Sequence, residues 1–145
     1  MEVEIIDTPF TIDIYGFGGT AVNKEYAATA FKLSGRMWDA VKAKGLKNKG
    51  KNIWVYENNE KVFAGIQLND TPAGEIELEH KAIVLEKYAY YKHIGPYSLI
   101  KQAGQKMNAE LAARGYTTRL PYIEIYGHWT NDETKCETEL FMSIQ

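Results

Sequence analysis

Apolar and polar residues alternate along several short stretches of this chain, and two longer stretches have the periodicity of a helix. Residues 10–15 place Phe10, Ile12 and Ile14 on one side, which predicts a strand with one apolar face. Glycines at 16, 18 and 19 then end the alternation. A helix is predicted from an N-cap at Asn23 to a stop near Gly45, with one stripe formed by Ala27, Phe31, Ser34, Trp38 and Val41.

Two short strands complete the first half of the chain, and the second half repeats the order. Residues 52–57 and 61–68 read as a hairpin, and the polar segment 69–81 reads as a surface connector. The second half predicts strands at 82–92, 121–126 and 137–144 and a helix at about 98–114. We therefore expect one α+β domain over residues 1–145, built from duplicated β-α-β-β units at about 8–69 and 82–145.

Each predicted strand divides into two lists of side chains, because successive residues point to opposite faces. One list in each strand is aliphatic, and we expect the two helices to cover it. The other list collects rings, and we expect it to form one aromatic face that also carries Glu124 and Glu139. The rings of this face are Trp54, Tyr56, Phe63, Tyr122, Tyr126 and Phe141.

An aromatic face of this size is costly to expose to water, so we expect it to be buried. Three arrangements could bury it: a cleft between the two halves, a second copy of the chain, or the connector. The cleft is attractive because a carboxylate among rings binds organic cations, through its charge and through cation–π contacts. Glu139, two residues before Phe141 within a strand, is the better candidate of the two acids.

Composition excludes several other classes of protein. There are 17 Lys plus Arg against 19 Asp plus Glu, a net charge of −2, so non-specific nucleic-acid binding is not expected. Cys136 is the only cysteine, which excludes an intrachain disulfide and suits the cytoplasm. His80, His93 and His128 lack metal-binding spacing, and GFGG at 16–19 lacks a nucleotide-binding pattern, so we expect no metal and no cofactor.

Three segments together resemble the GyrI-like family: HIGPYSLI at 93–100, PYIEIYG at 121–127 and ETELFMSI at 137–144. The family includes the effector-binding domains of multidrug-responsive AraC-type and MerR-type transcription regulators. The resemblance implies two β-α-β-β units, antiparallel sheets with helices on one face, approximate two-fold symmetry and a ligand cleft between the units. It implies Glu139 as the pocket acid, with walls at Trp54, Tyr56, Tyr126 and Phe141. Tyr88 or Tyr90 should join them, but the run through Tyr91 leaves the register open.

The expected function is therefore binding of amphipathic, cationic, aromatic small molecules, by a free-standing member of this family. Phe63, from the aromatic face, and Tyr88 and Tyr90 are further expected ligand contacts, and no catalytic residue is expected. No helix-turn-helix pattern is present, so direct DNA binding is not carried over. Two alternatives remain: hydrolysis of electrophilic cyclopropane-type toxins with Glu139 as general base, and a protein-interaction module that binds gyrase or a regulator.

Overall fold

A computed structural model describes residues 1–145 and shows an α+β fold. The two helices are α1, Tyr26–Lys44, and α2, Ile100–Ala113. The strands are β1 Glu4–Ile6, β2 Phe10–Thr20, β3 Ile53–Tyr56, β4 Lys61–Ile66, β5 Glu79–Leu85, β6 Tyr88–Ile94, β7 Thr118–Tyr126 and β8 Glu137–Ile144.

The chain divides into two compact units, and each contains a β-α-β-β run. Thr11–Ile83 is the first unit, with the order β2-α1-β3-β4 followed by β5. Met1–Phe10 and Val84–Gln145 form the second unit, with β1 added to β6-α2-β7-β8. The predicted β-α-β-β order is confirmed in both halves, while the duplication and the cleft stay predictions.

The first unit has its core between α1 and one face of its sheet. The strands lie in the order β3-β4-β2-β5, and β4 pairs antiparallel with both β3 and β2. Val62, Ala64 and Ile66 of β4 face the helix, as the alternation predicts. They pack against a helical stripe spaced by three and four residues, formed by Ala30, Leu33, Met37 and Ala40.

This buried stripe is not the one that the sequence pattern predicts for α1. Phe31, expected on the buried side, is 73% exposed, whereas Leu33 and Met37 are buried. Ser34 and Val41 belong to the predicted stripe and are also buried, so the buried side is displaced from the predicted one by a rotation of less than about 100°, the angle between successive residues of a helix. A helix with apolar residues on adjacent sides allows either rotation, and contact with β4 selects one.

The ends of α1 also differ in how well the sequence predicts them. Asn23 is not the N-cap, because it lies in a 3-10 turn with φ of 54° and the helix begins at Tyr26. Gly45 does end the helix: its φ is 60°, and the Leu46 amide donates to the Val41 carbonyl at 3.0 Å.

The second unit has an equivalent core between α2 and its sheet, whose order is β1-β6-β8-β7. Leu140, Met142 and Ile144 of β8 pack against Met107 and Leu111 of α2. These three residues of β8 are the aliphatic list that the pattern assigns to the helix. That assignment is confirmed.

Residues 82–92 are not one strand. β5 ends at Leu85 and β6 begins at Tyr88, and β5 starts inside the predicted connector, at Glu79. The structure contains no helix with both the length and the apolar character needed to cross a bilayer.

Candidate ligand-binding site

The register of β6 against β8 shows which face of the sheet each tyrosine of β6 occupies. Tyr90 lies opposite Phe141 and Tyr88 lies opposite Ser143, whereas Tyr91 lies opposite Leu140. Opposed residues of paired strands share a face, so Tyr88 and Tyr90 lie on the face of Glu139 and Phe141. Tyr91 packs instead with the α2 cluster.

Glu139 is half-buried and accepts a hydrogen bond of 2.6 Å from the Tyr90 hydroxyl. The pKa of Tyr90 is raised, first because burial disfavours the phenolate, and then because Glu139 binds the neutral hydroxyl and repels the charged form. Lys92 lies opposite Glu139 across the two strands and forms an ion pair with Glu137 at 3.6 Å. A lysine therefore lies beside the acid that the resemblance selects.

The ring of Phe141 is packed among other rings. It stacks on Phe10 with centroids 4.7 Å apart, and it meets Tyr90 edge-on at 5.2 Å and Tyr88 at 5.7 Å. Phe141 is 5% exposed and Tyr88 is 7% exposed. A ligand that stacked on Phe141 would have to displace one of these rings.

Tyr126 does not share a face with Glu139. In the pairing of β7 with β8, Ile125 lies opposite Glu139 and Tyr126 lies opposite Thr138. Tyr126 therefore projects to the α2 side and packs with its cluster. The expectation that Glu124 and Tyr126 lie on the Glu139 face is wrong, because β7 turns its aromatic list toward the helix and its isoleucines away from it.

This arrangement gives Glu124 a ring-lined environment of its own. Its Oε2 accepts 2.9 Å from the Tyr122 hydroxyl and its Oε1 accepts 2.6 Å from the Tyr126 hydroxyl. Glu124 is only 8% exposed. The two hydroxyls hold both carboxylate oxygens in a fixed orientation.

Two further residues of the second unit adjoin this carboxylate and its tyrosines. The Tyr97 ring meets the Tyr126 ring edge-on, with centroids 5.7 Å apart, and Tyr97 is 43% exposed. Gly104 of α2 lies beside the Tyr122 hydroxyl, which would be in ordinary van der Waals contact, at 3.7 Å, with a Cβ at that position. Sequence reasoning did not select Tyr97 or Tyr122 as ligand contacts, although both lie inside the segments that carry the family resemblance.

The three predicted site residues of the first unit divide between two faces. Trp54 lies opposite Ala64 and Tyr56 lies opposite Val62, and both rings pack on the α1 cluster. Phe63 lies opposite Val55 on the other face and is 4% exposed. The expectation that all three lie on the face away from the helix is wrong at Trp54 and Tyr56, which lie on the α1 side, whereas Phe63 lies on the other face, as the alternation predicts.

The first unit also has a groove of about 320 Å³ on the Phe63 side. Lys81 lies over the Phe63 ring, with its Nζ 5.7 Å from the centroid, and pairs with Glu57 at 2.8 Å. Gly18 forms part of the lining and leaves it open, since a Cβ there would lie 3.3 Å from the Phe63 ring. Phe63 is the one predicted site residue that lines this groove.

Comparison with known proteins identifies solved structures that share the fold of this chain. No family model matches the sequence, and no curated protein matches it. Among solved structures, the C-terminal domain of EcmrR is similar, with a TM-score of 0.73 and 18% identity over 99% of this chain and 96% of that one. The structure of SAV2435 bound to tetraphenylphosphonium has a TM-score of 0.67 and 18% identity, over 100% of this chain and 94% of that one.

A hydrolase from Listeria innocua is also similar, with a TM-score of 0.59 and 10% identity over 99% of this chain and 92% of that one. The chain therefore shares the α+β fold of these proteins, which is consistent with the GyrI-like resemblance of the three sequence segments.

Proposed function

We propose that this protein binds an amphipathic organic cation with aromatic surface, and that Glu124 supplies the opposite charge. The observation that carries the proposal is a carboxylate only 8% exposed, with each oxygen held by a tyrosine hydroxyl. Charges interact more strongly where water is excluded, so a buried carboxylate attracts a cation more than a solvated one does.

The tyrosines suit this role because they orient the carboxylate without neutralising it. A phenol hydroxyl donates a hydrogen bond and brings no positive charge, so an ionised Glu124 keeps its attraction for a ligand. The rings of Tyr97, Tyr122 and Tyr126 add flat apolar surface, and a cation over such a ring gains about 0.5–2 kcal/mol.

The shared fold supports the same chemistry. SAV2435 is a protein of this fold whose structure holds tetraphenylphosphonium, a cation surrounded by four phenyl rings. Such a ligand needs one negative charge and several aromatic or apolar contacts, and the Glu124 region offers both kinds of group.

Glu139 remains the alternative counter-ion. It is more exposed than Glu124, it accepts from one tyrosine, and its neighbour Phe141 is packed among other rings. These differences favour Glu124. The two acids lie on opposite faces of one sheet. Replacing each in turn by glutamine therefore shows which of them is the counter-ion.

Calorimetric titration with ions of matched shape tests the proposal. Tetraphenylphosphonium and tetraphenylborate share one shape and differ in charge sign, so the wild type should bind the phosphonium and discriminate against the borate. Glu124→Gln should weaken the phosphonium by about 10- to 100-fold, since one charge-assisted contact is lost. The same substitution should change the affinity for neutral triphenylphosphine oxide by less than about twofold.

The matched control is Glu139→Gln, which should change phosphonium affinity by less than about threefold. A loss of phosphonium affinity in Glu139→Gln but not in Glu124→Gln would place the binding site on the face of Tyr90 instead. Absence of phosphonium binding to the wild type at millimolar concentration would overturn the function itself.

The same carboxylate favours a second candidate, hydrolysis of an electrophilic cyclopropane-type toxin. A glutamate within hydrogen-bonding distance of two tyrosines can accept a proton from a water whose oxygen bonds to one ring carbon. The strained C–C bond of the cyclopropane breaks in the same step, and a phenol protonates the carbon that is released. A similar structure is that of a hydrolase, which supports this candidate. Mass spectrometry separates the two: a hydrolase yields more than one product molecule per site, and a binder returns the ligand unchanged.

A further inference from the structure

The end of α1 and the segment that follows it are rich in lysine. Residues 40–56 contain Lys42, Lys44, Lys47, Lys49 and Lys51 and no aspartate or glutamate. The rest of the chain carries twelve basic and nineteen acidic residues, a net charge of −7. The overall charge of −2 therefore averages a basic patch against an acidic remainder.

These lysines face solvent. Lys42, Lys44, Lys47 and Lys49 are exposed and Lys51 is half-buried. No ion pair involves Lys42, Lys44, Lys47 or Lys51. Lys42 and Lys44 lie in the last turn of α1, where cations stabilise a helix end, but the helix dipole does not account for the lysines beyond Gly45.

The loop that presents Lys47 and Lys49 is held by backbone pairing. Asn48 forms a bridge with Leu68, the Lys49 amide donates to Gln67 at 3.0 Å, and the Asn69 amide donates to Lys47 at 3.0 Å. The Asn48 side chain bonds the backbone on both sides of itself, at Leu46 and Gly50. Lys47 and Lys49 lie two residues apart in this extended segment, about 6.6 Å along the chain, which is comparable with the spacing of successive phosphates in a nucleic-acid strand.

We propose that the patch formed by Lys42, Lys44, Lys47, Lys49 and Lys51 binds the phosphate backbone of a nucleic acid without reading its sequence. At physiological salt charges are screened beyond about 8 Å, so a polyanion at the patch senses mainly the nearby charges. Asp70 is one of these, because the amide of its neighbour Asn69 donates to Lys47, and the five lysines outnumber it. The large exposed hydrophobic residues all lie outside residues 40–56, so the patch has no side chain to insert into a bilayer. The same absence leaves no ring to stack on bases, and lysine contacts to phosphate carry no sequence information.

Fluorescence anisotropy with labelled 20-nucleotide single strands and duplexes tests the proposal. We expect dissociation constants of about 10–100 μM at 50 mM salt, a strong loss of affinity with added salt, and no sequence preference. The variant Lys42→Gln, Lys44→Gln, Lys47→Gln should bind at least about tenfold more weakly, and its salt slope should fall by about 2.

The matched control is Lys32→Gln, Lys101→Gln, Lys106→Gln, which removes the same charge from exposed lysines outside the patch and should bind like the wild type. An equal loss of oligonucleotide affinity in both triple variants would overturn the proposal. So would the absence of oligonucleotide binding to the wild type at 50 mM salt. Tighter binding to phosphatidylserine vesicles or to a polyglutamate peptide than to either oligonucleotide would overturn it as well. Glu124→Gln should leave oligonucleotide affinity unchanged, so this proposal can fail or succeed apart from the proposed small-molecule site.

Discussion

The Tyr126 hydroxyl donates a hydrogen bond of 2.6 Å to Oε1 of Glu124 from a position two residues further along the same strand. Tyr122, two residues before Glu124, binds the other carboxylate oxygen at 2.9 Å. Residues i and i+2 of a strand share a face, so three alternate positions of β7 are enough to build this arrangement. The buried acid and the hydroxyls that orient it therefore come from one short segment.

Removing the Tyr126 hydroxyl should destabilise the protein. In Tyr126→Phe, Glu124 loses the hydroxyl that donates to its Oε1, and a buried acceptor that loses a donor costs about 1–3 kcal/mol. The free energy of unfolding, measured in urea, should fall by that amount. Combining Tyr126→Phe with Glu124→Gln should give a loss smaller than the sum of the single losses, since both remove the same contact. Strict additivity would show that the two groups do not interact.

The core of the second unit should be sensitive to lost volume on the helix side of β8. Leu140 is fully buried, and Leu140→Ala should lower the free energy of unfolding by about 2–5 kcal/mol. Val84, which is 53% exposed, offers a control: Val84→Ala should change it by less than about 0.5 kcal/mol. Similar effects of the two substitutions would contradict the burial of β8 beneath α2.

Two glycines should respond oppositely to alanine. At Gly16 a Cβ would collide with the Ala64 carbonyl oxygen, so Gly16→Ala must separate β2 from β4 and should cost more than about 2 kcal/mol. At Gly35, within α1, a Cβ meets nothing within 4 Å. Gly35→Ala should raise the free energy of unfolding by about 0.5–1 kcal/mol, because alanine is the better helix former. Thermal or urea unfolding of both variants measures this contrast.

Ionisation of Tyr90 should reduce stability at alkaline pH. Its pKa is raised in the folded protein above the ordinary value of 10.0, so the folded state holds the proton that the unfolded state releases. The stability from Tyr90 is thus complete below pH 10.0 and is lost as the pH rises toward the raised pKa. Urea unfolding at pH 8 to 12 should show a shallower alkaline decline for Tyr90→Phe than for the wild type. An identical decline in the two proteins would contradict the raised pKa.

Strand faces were predictable only where the two lists of a strand differ strongly in polarity. In β8, Leu140, Met142 and Ile144 oppose a set with only one apolar member, which consists of two glutamates, Phe141 and a serine, and the assignment to the helix side is correct. In β3 and β7 both lists are apolar enough to be buried, since isoleucines or valine oppose tryptophan or tyrosines. Alternation separates such lists, but it does not say which one meets the helix.

The candidate site shows the same limit. The sequence identifies Glu124 among its tyrosines, but only the register of β7 against β8 shows that it lies away from Glu139. The pairing of carboxylate oxygens with particular hydroxyls depends on side-chain rotation, which strand periodicity does not determine. Tyr88 and Tyr90 needed their partners in β8 before either could be placed.

Cys136 lies directly before β8, is 4% exposed, and is the only thiol in the chain. Because the side chain is buried, a thiol-specific alkylating reagent should reach this sulfur mainly when the structure around Cys136 opens locally. The rate of alkylation in the native protein would report how often that opening occurs, with no engineered label.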